Sequence, residues 1–211
     1  PAPGWEARYD WAGWIPFEEL PRQYNPASGR LWSANEKITP AGYAHFITSE
    51  WEPPYRANRI AALLDALPKH SVASFARIQG DVLSLAMRES LPGMLATTPR
   101  SDAARNALAL LAKWDGSMTP ERAEPVIAWA WWREFTRALY ADELGDAFPG
   151  NWKARAPFVA NVLAGRGEHQ RWCDDIRTPA VETCGDLLAA SLEAALAELA
   201  QRYGADMQQW R

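Results

Sequence analysis

Tyr55-Arg56-Ala57-Asn58-Arg59-Ile60-Ala61-Ala62-Leu63-Leu64-Asp65-Ala66-Leu67-Pro68 is the stretch on which the fold class turns. Ile60, Leu63, Leu64 and Leu67 stand at i, i+3, i+4 and i+7, the spacing that lines one face of an α-helix. Pro68 closes the run, because a proline ring clashes with the preceding turn and brings no N–H to it. Downstream the pattern stays helical. Ser71 can cap a second helix, whose apolar stripe Phe75, Ile78, Val82, Leu85 runs to Pro92-Gly93. Ser101-Asp102 opens a third, with Ala104, Leu108 and Leu111 inward and Asp115-Gly116 as its end. Thr119-Pro120-Glu121 reads as an N-cap followed by proline at the first helical position. Behind it Val126, Trp129, Arg133, Thr136 and Tyr140 share a face, with Trp132 and Leu139 beside it. Trp152 to Leu163 reads as a shorter helix kinked by Pro157. A last one from Cys184 to Tyr203 buries Leu188, Leu192, Ala195, Leu196 and Leu199 and stops at Gly204.

Upstream of Tyr55 the reading changes. Eight of the 16 prolines and five of the 12 tryptophans fall in the first 55 residues, a density that interrupts any helix. Asn25-Pro26-Ala27-Ser28-Gly29 predicts a turn, followed by Arg30-Leu31-Trp32-Ser33-Ala34 as a strand. The expected architecture is therefore mainly α: an irregular helical bundle over 55–211 of about six helices. It is preceded by a segment, 1–54, of turns with one or two β-strands.

Composition removes several function classes. With 22 Lys and Arg against 26 Asp and Glu the net charge is −4, and no local basic cluster appears, which argues against nucleic acid as a partner. At 48% hydrophobic and 23% charged the chain is an ordinary globular one. No apolar run is long enough for a membrane span. The chain opens Pro1-Ala2-Pro3-Gly4, without an initiator Met or a signal-peptide pattern, so it is expected to be cut from something longer.

Little chemistry is visible in the local motifs. There is no Cys-x-x-Cys, no His/Glu zinc pair at helical spacing, no Gly-x-Ser-x-Gly and no phosphate loop. His45, His70 and His169 are scattered without neighbours at ligand spacing, so no metal is assigned. Asp174 and Asp175 are adjacent and cannot flank one glycosidic bond from opposite sides, so they read as a loop or helix-start pair. Trp131 and Trp132 point to different helix faces, and at least one belongs to a core or to a contact with neighbouring chain. Cys173 and Cys184 are close enough in sequence for a disulfide stapling the start of the last helix, or they are two buried thiols; spacing favours neither.

A longer pattern is more specific. Tyr9-Asp10-Trp11-Ala12-Gly13-Trp14-Ile15-Pro16-Phe17-Glu18-Glu19-Leu20-Pro21 continues through Tyr24-Asn25-Pro26 and Gly29 to Ser33-Ala34-Asn35-Glu36-Lys37. Trp51-Glu52-Pro53-Pro54 then leads into Tyr55-Arg56-Ala57-Asn58-Arg59-Ile60. Further blocks are Ile78-Gln79-Gly80-Asp81, Trp114-Asp115-Gly116, Trp172-Cys173-Asp174-Asp175 and Thr183-Cys184. Together these resemble the penicillin acylase family, in the middle of its catalytic β-subunit, over nearly the whole chain.

The resemblance implies an N-terminal-nucleophile amidohydrolase. A Ser freed by self-cleavage attacks the amide, its own α-amine acting as base, and an acyl-enzyme forms. The tetrahedral oxyanion then needs donors already aimed at it. The match places one such donor, a side-chain amide, at Asn35, and a supporting arginine at Arg56, with Arg59 as the alternative one turn on. By local sequence alone Asn35 would read as a turn residue at a strand end and Arg56 as a helix-start surface charge. No Ser stands at the start of this chain, whose first residue is Pro1. The piece by itself is therefore expected to be inactive, with the α-subunit and the rest of the β-subunit as its missing partners and an amide as substrate. The family's calcium site draws mostly on residues upstream of Pro1. Its one ligand in the Tyr43–Trp51 region would fall where His45 or Thr48 replaces an acid, so calcium is left to the parent. A Cys173–Cys184 disulfide and a periplasmic or secreted location complete the expectations. The reading from a different class is a non-catalytic helical module that binds a protein or aromatic ligand through exposed tryptophans.

Overall fold

The computed structural model describes residues 2–153 and 155–211. Pro1, which carried the expectation of a missing nucleophile, and Ala154, inside the predicted helix from Trp152, lie outside the described residues. Two compact units result, one ending at Pro68 and the other running from Lys69 to Arg211.

The first unit is built of turns and one α-helix, α1 (Tyr55–Asp65), in which Ala57 and Leu64 are buried. The predicted turn forms: Gly29 N–H donates to Pro26 O at 2.8 Å with Gly29 at φ 65°. The predicted strand Arg30–Ala34 does not form. A strand exists by ladder pairing with a neighbour, and here the backbone groups are taken locally. Arg30 N–H and C=O both bond the Ser28 hydroxyl, and Ala34 N–H donates to the Glu36 carboxylate. The Arg30 guanidinium instead reaches the far end of α1, pairing with Asp65 and donating to Leu67 O at 2.9 Å. A cation there also opposes the negative end of the helix dipole.

The second unit is mainly α, as expected. Its helices are α2 (Val72–Gln79), α3 (Leu85–Leu95), α4 (Asp102–Leu111), α5 (Glu124–Leu144), the short α6 (Phe148–Asn151), α7 (Ala156–Leu163) and α8 (Cys184–Tyr203). Its centre is α5 packed on α8. Ile127, Trp131, Phe135 and Leu139 recur every four residues along α5 and are fully buried. Leu188, Leu192, Ala195, Leu196 and Leu199 form the matching stripe of α8. Trp131 and Trp132 both enter the core, and Trp131 Nε1–H donates to Leu188 O at 2.9 Å. After α8, Trp210 folds back into the same core, donating to Gly204 O at 2.8 Å.

Three helix readings change. The stripe from Ser71 to Pro92 is two helices, because α2 ends at Gly80 and Ser84 caps α3. Between them the chain is extended, Leu83 bridging Ser117, with Ser84 N–H to Gly116 O and Met118 N–H to Val82 O. That extended pairing also delays α5, whose N-cap is Ala123 rather than Thr119. The buried face of α5 consequently runs through Ile127, Trp131 and Phe135, leaving Trp129 half exposed. Pro157 lies in the first turn of α7, where its missing N–H costs nothing, and so starts a helix rather than kinking one. Gly93 allows α3 to press against α7: a Cβ there would meet Leu163 Cβ at 2.9 Å, closer than real side chains approach.

Cys173 and Cys184 are joined in a disulfide, with Cα atoms 4.9 Å apart. The loop between them is also knit by Asp174, which accepts from Glu182 N–H at 2.9 Å, and by Thr178, which donates to Glu182 at 2.8 Å. Thr183 and Asp186 form a capping box at the start of α8 directly beyond. Titration of denatured, unreduced protein is expected to find no free thiol. Cys184→Ser should lower stability by about 3 kcal/mol, the loop-closure value for a short ring. A loss under about 1 kcal/mol would mean that the hydrogen bonds alone hold the loop.

Candidate active site

Asn35 and Arg56, 21 residues apart, meet. One guanidinium nitrogen of Arg56, Nη2, donates to Ala34 O at 2.8 Å and to Asn35 Oδ1 at 2.9 Å. Arginine carries donors only, so the amide oxygen must face it and the Asn35 Nδ2–H₂ group must point away. Asn35 itself sits at φ 65°, in the left-handed region that asparagine tolerates better than other side chains do. Its C=O accepts from Glu52 N–H at 2.9 Å. Ala34 is 6% exposed, and its N–H donates to Glu36 Oε2 at 2.6 Å. The turn 34–36 is thus tied at both ends, and its one side-chain amide presents two donors outward.

Beside the turn lies a hollow of about 290 Å³ lined by Pro21, Arg22, Gln23, Trp32, Glu36 and Ile38. Glu36 and Glu52 had no role in the sequence reading. The only signal for Glu36 was its place directly after Asn35 in the Ser33–Lys37 block. Arg59, one turn along α1, is half-buried, and it is Arg56 that donates to Ala34 O and Asn35 Oδ1.

The other sequence candidates have structural surroundings. Asp175 is held by the Arg177 guanidinium at 2.8 and 2.6 Å, which keeps its carboxyl below the usual range. Asp174 serves the disulfide loop, and Glu182 is likewise lowered, first by the Thr178 hydroxyl. His45 pairs with Glu19, whose backbone C=O accepts from Tyr43 Oη at 2.8 Å. His70 lies 3.1 Å from the Ser74 hydroxyl, and His169 Nδ1 is 2.6 Å from Arg166 O. Among the described residues no three His, Cys, Asp or Glu side chains gather as a metal site. In the 43–51 region His45 is engaged by Glu19 and the Thr48 hydroxyl accepts from Glu50 N–H at 3.0 Å. Calcium takes several oxygen ligands, whereas His45 offers a ring nitrogen that is already paired with Glu19. No helix among the described residues is long and apolar enough to cross a membrane.

Comparison with known proteins gives this geometry a context. The family profile described as penicillin amidase matches residues 1–211. An acyl-homoserine lactone acylase of Pseudomonas aeruginosa is 34% identical across the whole chain, which covers 27% of that protein. The penicillin acylase 2 proenzyme of Pseudomonas sp. (strain SE83) is 33% identical over 56% of this chain and 15% of its own length. The penicillin G acylase of Escherichia coli is 32% identical over 55% of this chain and 14% of its own length. The chain therefore spans little more than a quarter of the relatives that match it end to end, 27% and 28% for two of them.

Proposed function

The chain belongs to the penicillin amidase family, and from that premise we propose that it is part of an acylase that hydrolyses amide bonds through an acyl-enzyme. The observation that carries this reading is the Arg56–Asn35 contact. An asparagine amide whose oxygen is occupied by a guanidinium has one direction left for its N–H bonds. Donors fixed before the reaction begins lose no orientation energy when charge develops on the carbonyl oxygen.

In the proposed sequence the serine nucleophile belongs to chain outside these 211 residues. Its hydroxyl oxygen attacks the substrate carbonyl, and the serine's α-amine takes the hydroxyl proton. The carbonyl π-electrons move onto oxygen, where Asn35 Nδ2–H₂ donates to the resulting oxyanion. Collapse breaks the C–N bond, and the amine leaves with the proton. Water then attacks the acyl-enzyme by the same steps and releases the acid. Arg56 acts through Asn35, holding its amide plane. The Trp32 and Ile38 side of the neighbouring hollow forms part of the wall that faces substrate. The α-subunit and the rest of the β-subunit are the partners, and the compartment is periplasmic or secreted, in keeping with the disulfide.

The test uses the complete processed protein with chromogenic phenylacetyl and fatty-acyl amides. Release of the amine from at least one class is expected, and failure to cleave either would overturn the reading. Arg56→Ala should lower kcat about tenfold, since the amide then rotates and its donors are no longer aimed. An unchanged kcat would show that Asn35 needs no such support.

A further inference from the structure

We propose that Glu36 is a positioning residue of the same site, holding the left-handed turn from which Asn35 presents its amide; this rests on the reading of Asn35 as an oxyanion donor. Asn35 has a positive φ, a region that a residue with a Cβ enters at a cost, smaller for asparagine than for most. Such backbone persists only where surrounding contacts over-determine it. Arg56 supplies one such contact from the carbonyl side of Ala34, at 2.8 Å. Glu36 supplies the opposite one, its Oε2 accepting from Ala34 N–H at 2.6 Å. Ala34 is therefore gripped at both its N–H and its C=O, and the peptide joining it to Asn35 has no freedom to flip.

The Ala34 N–H belongs to a buried residue. Without the Glu36 carboxylate it loses its partner, and an unpaired buried N–H is costly. The turn would relax towards water or another acceptor, carrying the Asn35 side chain with it. A displacement of about 1 Å at a catalytic donor is enough to cost on the order of 10²-fold in rate.

The charge of Glu36 works in the other direction. A carboxylate near a developing oxyanion raises the energy of the transition state, since like charges repel. What the turn needs from this side chain is an acceptor oxygen, and an uncharged one suffices. Glutamine keeps the acceptor and removes the charge, whereas alanine removes both.

The experiment compares E36A, E36Q, N35G and N35G/E36A in the complete processed enzyme with a chromogenic amide. Active-site titration normalises kcat to mature enzyme, so a variant that matures poorly is still read. E36A is expected to lower kcat about tenfold or more with KM within about twofold, as for an interaction made in the transition state. E36Q should stay within about threefold of the parent kcat. In the N35G background the further change to E36A should be under about twofold, because residues acting as one unit are not additive. A silent E36A, an E36Q as low as E36A, or a full additional loss in N35G/E36A would each overturn the role of Glu36. If N35G itself loses less than about threefold, the oxyanion reading of Asn35 fails instead, so the two failures are distinct.

Discussion

Replacing Asn35 by glycine in the complete processed enzyme is expected to lower kcat by on the order of 10²–10³, with KM little changed. Glycine is the informative choice because Asn35 has φ 65°. Alanine there would add backbone strain of about 1–2 kcal/mol to the loss of the amide. Glycine accepts the same backbone, so N35G removes the Nδ2 donors and little else. If the loss came from the turn rather than from the amide, N35G would be mild and N35A severe. The account predicts that the two are comparable. Asn35→Asp should be at least as damaging, since a carboxylate oxygen would take the place of Nδ2 and repel the oxyanion.

The largest stability effect is expected at the contact between α5 and α8. Trp131→Ala should cost about 3–5 kcal/mol, the range for truncating a fully buried large aromatic. Trp131 is wholly inaccessible and lies among Ile127, Phe135, Leu188 and Leu192 in the core of the second unit. Its indole also donates to Leu188 O at 2.9 Å. Trp131→Phe separates the two contributions: it keeps most of the ring but loses the donor, and should cost about 1–2 kcal/mol. Urea unfolding measures both. A Trp131→Ala loss below about 1.5 kcal/mol would mean that α5 and α8 can collapse into the space the ring leaves.

The two elements just discussed were unequally legible in the sequence. Helix α8 runs from Cys184 to Tyr203 as the Leu188–Leu199 stripe and Gly204 predict, and the structure adds Thr183 as its cap. Helix α5 was misplaced at its start. Pro120 and Pro125 both suit a first turn, and only the pairing of Val82–Ser84 with Gly116–Met118 decides between them. That pairing joins residues more than thirty positions apart, beyond the range of a local signal. The break at Gly80 escaped for a related reason: Phe75, Ile78, Val82 and Leu85 keep helical spacing across it, so periodicity cannot sense the interruption.

The candidate site followed the same logic. That Asn35 lies in a turn was readable locally, and its left-handed φ agrees. That Arg56 holds its amide was not readable from spacing, because the two stand 21 positions apart across a run of turns; the resemblance singled out both residues, and the fold brings them into contact. Glu36 was invisible as a functional residue, since an acid after an asparagine is ordinary in a loop. The strand expected over Arg30–Ala34 failed because Ser28 and Glu36 capture its backbone groups. The tryptophans divide. Trp114, Trp131, Trp132 and Trp210 are core residues, while Trp5, Trp11 and Trp14 are each 87% exposed in the first unit. Composition counts both kinds alike.

The central claim is that the Asn35 amide faces the reacting carbonyl. A crystal structure of the complete processed enzyme, with its nucleophile carrying a tetrahedral sulfonyl or boronate adduct, measures this directly. The predicted result is Asn35 Nδ2 about 2.7–3.1 Å from the adduct oxygen that stands for the oxyanion, with Oδ1 still on Arg56. An adduct oxygen bound by other donors, with Asn35 Nδ2 more than about 4 Å away, would contradict it.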